Sequence, residues 1–166
     1  MKKYDVNQPI IFKRGIYQLN EESNFNYQLN RVINWDGGRL EDVQKVAGKI
    51  HNSKDWKREL IALGDEAIDE ERVDNAIAYY RMSEFFMYDG DSDKKKYYEK
   101  ATDLFYQYYE DYFEGENPRI KRFTVPYKNV ELPVMHVVPE GKSKGTILIH
   151  GGNDSYFEEF LFTVLY

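Results

Sequence analysis

Gly145-Thr146-Ile147-Leu148-Ile149-His150-Gly151-Gly152-Asn153-Asp154-Ser155-Tyr156-Phe157-Glu158-Glu159-Phe160 is the stretch whose reading decides the fold of this chain. Thr146 to Ile149 is short, β-branched and uninterruptedly apolar, the pattern of a strand buried on both faces in a parallel sheet. Gly151-Gly152 ends it. Ser155-x-x-Glu158 has the spacing of a capping box, Asp154 stands just before it, and Phe157, Phe160, Leu161, Val164 and Leu165 follow at helical intervals. The reading is strand, glycine turn, helix.

Such a junction suits the stabilisation of an anion by backbone. Amide groups of the turn converge on one point, and glycines leave room for a ligand oxygen to approach. The donors of an oxyanion hole need that geometry, because they meet the negative oxygen of a tetrahedral intermediate. Gly151, Gly152 and Asn153 are therefore the candidate catalytic donors, each through its N–H, while Asp154 and Ser155 are read as helix caps. The plain alternative is a strand-to-helix turn that uses glycine for its conformational freedom alone.

Ile147 to Ser155 also resembles a known family. The segment is similar to the turn after the third strand of the α/β-hydrolase fold, where a His-Gly-Gly or Gly-Gly-x-Asp run contributes to the oxyanion hole. The branch it resembles is that of esterases, acyl hydrolases and C–C hydrolases with a helical segment before the hydrolase core. The resemblance covers about 50 residues from Pro118 onward and the helical region more loosely. It implies a small-molecule ester or acyl substrate for the full-length parent, and N-terminal helices that cap the active-site entrance. In the family the nucleophile, acid and histidine all follow the third strand. The chain ends at Tyr166, so the resemblance implies an N-terminal part, truncated before the nucleophile elbow and inactive alone. His150 is read as shaping the turn rather than as a base.

Two motif matches fail on context. Gly141-Lys142-Ser143-Lys144-Gly145 has the letters of a nucleophile elbow, yet it enters a strand instead of leaving one for a helix. Asp89-Gly90-Asp91-Ser92-Asp93 begins like a calcium loop, but Lys94 and Lys100 stand where glycine and a bidentate glutamate are needed. His51, His136 and His150 lack a paired-ligand spacing. Neither a metal nor a cofactor is expected.

Before Pro118 the pattern is helical. Phe25, Leu29, Val32 and Ile33 form one stripe, closed by Asp36-Gly37-Gly38; a second helix is expected from about Arg39 to Ile50, with Leu40, Val43, Val46, Ala47 and Ile50 inward. Ser53 is read as the cap of a third helix bearing Trp56, Leu60, Leu63 and Ala67, and Asp74 opens a fourth. Ser92 or Asp93 opens a fifth that reaches about Phe113. Leu60, Leu63, Gly64, Ala67, Ala76, Tyr80 and Ser83 fall where a tetratricopeptide helix pair places its packing residues, although the period is not sustained. The fifth helix is aromatic nearly all round, from Tyr97 to Phe113, which predicts burial on every side or a missing partner.

After Pro118 the period becomes two. Ile120 to Val125 alternates, Lys128-Asn129 turns, and Val130 to Val138 continues as a strand that Pro133 places at an edge. The predicted fold class is α+β: an N-terminal α-helical bundle with a TPR-like hairpin over residues 1–117, then the first three strands and one helix of a hydrolase sheet over 118–166. The third strand would lack its neighbours. The expected consequences are a homodimer through that exposed strand edge or the aromatic helix, strand exchange, or local disorder after about Gly141.

Composition narrows the partners. The net charge of -6 argues against nucleic acid, which demands a concentrated basic surface. There is no cysteine, hence neither a disulfide framework nor a thiolate metal site. No run of about eighteen apolar residues is present, so no membrane partner is expected and the cytoplasm is the default location. A function of a different class also fits: a helical protein-interaction module with a small β appendage.

Overall fold

The computed structural model describes residues 16–34, 37–116, 118–139, 141–153 and 155–161. The chain divides after Tyr108 into two compact units. The first is helical: α1 (Ser23–Asn34), α2 (Leu40–Ala47), α3 (Ser53–Asp69), α4 (Val73–Ser83) and α5 (Ser92–Tyr108). The second holds α6 (Glu110–Phe113), β1 (Ile120–Tyr127), β2 (Val130–Val137) and a 3-10 turn at Phe157–Glu159.

The apolar stripes read from the sequence make the helical core. Leu29, Val32, Val43, Ile50, Trp56, Leu60, Ala67, Ala76, Tyr79, Tyr80 and Met82 are all buried. α4 is the centre of the unit, packed against both α3 and α5, and every one of its residues except Asp74 is buried. The α3–α4 pair closes where the repeat-like spacing placed it: a Cβ added to Gly64 would lie 2.6 Å from Tyr80 Cδ1 and 2.8 Å from Cζ. Trp56 Nε1 donates to the Met82 carbonyl at 2.7 Å, fixing α3 to the end of α4.

Local chemistry sets the helix ends. The cap of α3 is Asn52 rather than Ser53, since its side-chain oxygen accepts from the amides of Lys54 at 2.9 Å and Asp55 at 3.0 Å. α3 ends in a Schellman arrangement, with Arg72 N–H donating to the Ala67 carbonyl and Glu71 N–H to that of Ile68. Glu71 takes the left-handed position there, at φ 59°. Residues 16–20, which carry no periodic signal, have no regular structure and are tied to α1 and α2 by side-chain hydrogen bonds. Asn30 exchanges hydrogen bonds with the Tyr17 backbone, and Asn20 Nδ2 donates to the carbonyls of Ala47 and Ile50 at the end of α2.

The expected length of the fifth helix is corrected. The helix breaks at Tyr109 instead of running to Phe113. Its burial is confined to one face, with Tyr97, Ala101 and Phe105 inward and Tyr98 44 % exposed, because the helix packs chiefly on α4. Tyrosine tolerates that position by keeping its hydroxyl wet.

Among the described residues the sheet has two strands rather than three. β1 and β2 pair antiparallel from Ile120–Val137 to Tyr127–Val130, joined by the Lys128-Asn129 turn with Lys128 at φ 54°. Thr146 to Ile149 forms no strand; Ile147 and Leu148 are 86 % and 89 % exposed. An apolar run becomes a strand only when other strands complete its hydrogen bonds, and the hairpin does not take it up. The helix expected from Ser155 is likewise shifted, the first helical turn being Phe157–Glu159; residues 162–166 lie outside the described residues.

Candidate functional site

Gly151, Gly152 and Asn153 form the turn that follows the exposed apolar run. Ser155 closes it. Gly152 N–H donates to Ser155 Oγ at 3.2 Å, and Ser155 N–H donates back to the Gly152 carbonyl at 3.3 Å. Gly151 is required by space: a Cβ there would collide with Ser155 Cβ, and would stand 2.8 Å from its Oγ and 3.0 Å from Phe160 Cε2. His150 Nδ1 lies 3.0 Å from the Gly151 carbonyl, which its protonated tautomer bonds as a donor. The histidine thus steadies the turn and is directed at its own backbone.

The turn contains two kinds of amide. That of Gly152 is already occupied by the Ser155 hydroxyl, whereas those of Gly151 and Asn153 carry no hydrogen bond among the described residues. A turn presenting open N–H groups at the end of an extended segment can stabilise a developing oxyanion. Ser143 is not directed at it. Its hydroxyl donates to the Gly145 carbonyl at 2.9 Å and accepts from the Gly145 amide at 3.3 Å, in an exposed loop with no helix behind it.

The helical unit holds a buried polar cluster that sequence reading missed. Asp42 is almost wholly buried and accepts from Arg72 Nη1 at 2.7 Å and from Tyr79 Oη at 2.8 Å. Tyr79 Oη accepts in turn from the Arg39 amide at 2.9 Å. Asn75 Oδ1 accepts from Arg72 Nη1, while Asn75 Nδ2 donates to the Gly37 carbonyl. Burial, and then the bond to Asp42, push the Tyr79 phenol well above its ordinary ionisation range. The bonds from Asp42, Arg39 and Gly37 fasten α2 and the residues just before it to α4 and its N-cap residue Arg72. A signal existed in the sequence: Asp42 sits beside Val43 on the inward stripe of α2, where an acid needs a buried partner.

Lys57 on α3 is paired within the unit. Lys57 Nζ binds Asp91 at 2.8 Å and Asp93 at 2.9 Å, which raises the ammonium and lowers the Asp91 carboxyl from their ordinary values. The aspartates that resembled a calcium loop therefore clasp α3 to the start of α5. Among the described residues no group of three or more His, Asp or Glu is placed to hold a metal ion. No described helix is long and apolar enough to cross a membrane.

Comparison with protein-family models finds none that matches the chain, and comparison with characterised proteins finds no match either. The candidate site accordingly rests on its own geometry.

Proposed function

We propose that this chain supplies the helical domain and the opening strands of an α/β hydrolase, with the Gly151–Asn153 turn as half of its oxyanion hole. The observation that carries the reading is the pairing of two features. Thr146 to Ile149 is an apolar, strand-forming run left exposed, and it leads directly into a turn where a Cβ at Gly151 is barred and two amides stand open. A sheet that takes up the run would bury its side chains and fix those amides at one end of a strand. The reaction is nucleophilic hydrolysis of an ester, amide or activated carbon–carbon bond. A serine, acid and histidine are needed from residues other than those described.

The division of labour within the turn follows. Gly151 and Asn153 donate to the oxyanion, Ser155 holds Gly152, and His150 holds the Gly151 carbonyl. Removing one donor of such a pair lowers turnover by about 10²–10³. The test is to sequence the coding DNA past the Tyr166 codon and to express the continued reading frame. An in-frame strand–Gly-x-Ser-x-Gly–helix unit, with hydrolysis of a p-nitrophenyl ester that is lost in Gly151→Val, supports the reading. A stop codon directly after Tyr166, with no ester hydrolysis, removes it.

A second reading, a helical protein-interaction module, draws on one observation: Gly64 meets Tyr80 across the α3–α4 hairpin as in a tetratricopeptide pair, and α5 continues the packing on α4. It is favoured if the helical unit retains a specific partner when Thr146 to Tyr166 are deleted.

A further inference from the structure

We propose that two copies of the chain associate face to face through one side of the β1–β2 hairpin. The register sets Phe123 opposite Val134, Val125 opposite Leu132 and Tyr127 opposite Val130. Directly opposed residues of an antiparallel pair share a face, so these six form one apolar surface. Five of them are strongly exposed: Phe123 49 %, Val125 43 %, Tyr127 54 %, Val130 55 % and Leu132 45 %. The opposite face is mixed, with Arg122, Thr124 and Glu131. An isolated two-stranded hairpin is marginal in water, and its stability requires cover for an apolar face.

The edges of the hairpin direct the partner to that face. Tyr127 and Val130 flank a two-residue turn, so their pair exchanges both backbone bonds and the pairs then alternate along the ladder. Pro126 and Pro133 fall on the intervening pairs, where the main-chain nitrogen faces outward, and each removes a donor from one edge. Each edge lacks one donor, whereas the whole face is open.

Self-association suits this face better than a charged partner does. Its interior carries no charge, so it is its own complement about a two-fold axis. Lys121 and His136 oppose each other at the open end. At these exposures the five side chains leave about 500 Å² open per copy, taking roughly 150–250 Å² for a fully open side chain of this size. Two copies then bury about 1,000 Å², the size of a weak or transient interface. The proposal concerns residues outside the Gly151–Asn153 turn and does not rest on the hydrolase reading.

The test is sedimentation velocity on the full chain from about 1 μM to about 200 μM, the range in which so small an interface associates. The mass is expected to rise from 19.8 kDa toward twice that value. Val125→Lys, at the middle of the face, abolishes the rise with an unchanged circular dichroism spectrum, and Thr124→Lys, on the opposite face, preserves it. Because the chain has no cysteine, V125C gives a unique thiol that a short bis-maleimide cross-links into dimers, and T124C does not. A monomer at every concentration overturns the proposal. So does a dimer that survives V125K, equal cross-linking of the two cysteine variants, or a dimer abolished by Leu148→Asp but not by V125K.

Discussion

Replacing Gly64 by alanine sets two effects of opposite sign against each other. In an exposed helix interior the change stabilises by about 1 kcal/mol, since glycine carries the larger backbone entropy. At Gly64 the new methyl meets the Tyr80 ring, 2.6 Å from Cδ1 and nearer still to Cε1. That ring has little freedom to retreat. It is fully buried, stacked on Tyr97 with centroids 5.7 Å apart, covered by Lys100 at 3.8 Å, and anchored by a 2.6 Å bond from its hydroxyl to Asp65. Overpacking costs about 1–3 kcal/mol, and a ring held on several sides takes the upper part of that range, about 2–3 kcal/mol, so the expected net loss is about 1–2 kcal/mol. For a unit of this size that lowers Tm by roughly 5–10 °C. Gly48 is the internal control: it lies at φ -72° at the end of α2 with nothing within 4 Å of an added Cβ. Gly48→Ala should therefore stabilise by about 0.5 kcal/mol. Thermal and urea melts followed at 222 nm measure both, and Gly64→Ala combined with Tyr80→Leu should recover at least ~1 kcal/mol of coupling. A Gly64→Ala protein as stable as the parent would refute the close-packed α3–α4 contact.

Three further outcomes are expected. Glu71 occupies the left-handed position of the α3 Schellman motif, and Glu71→Gly should raise the urea midpoint by an amount equivalent to about 0.5–1 kcal/mol. Asp42→Ala removes the acceptor shared by buried Tyr79 and partly buried Arg72, and should cost about 3 kcal/mol in the same melts. Lys57 holds the Asp91 carboxyl below its ordinary value, so the folded state binds fewer protons there than the unfolded one. The clasp contributes in full above the ordinary carboxylate range and is lost as pH falls below about 4. Lys57 is raised, so its share is lost as pH climbs past the ordinary amine value near about 10.4. The gap in urea midpoint between the parent and Asp91→Asn should be open at pH 7 and narrow at both extremes; a gap independent of pH would assign the effect to packing.

The sequence by itself determined the features that depend on neighbours along the chain. The 3.6-residue stripes located the helices of the first unit, the alternation from Ile120 set the hairpin, and Lys128-Asn129 fixed its register. Gly64 and Tyr80 were legible as a pair because the repeat spacing places them across a helical hairpin. The candidate donors were legible as residues, since two glycines after an apolar run make a recognisable turn. Only the tertiary structure decided which of their amides is open, because Ser155 turns its hydroxyl back to Gly152 instead of capping a helix. Tertiary partners also decided the fate of Thr146 to Ile149. Its composition favours a strand, but strand hydrogen bonds are non-local, and no described neighbour completes them. The same reason explains the fifth helix, where composition recorded how many aromatic rings are present and only packing on α4 selected Tyr97 and Phe105 for burial. Asp42 belongs with these, for its charge is tolerated inside only because Arg72 and Tyr79 arrive from distant positions to bind it.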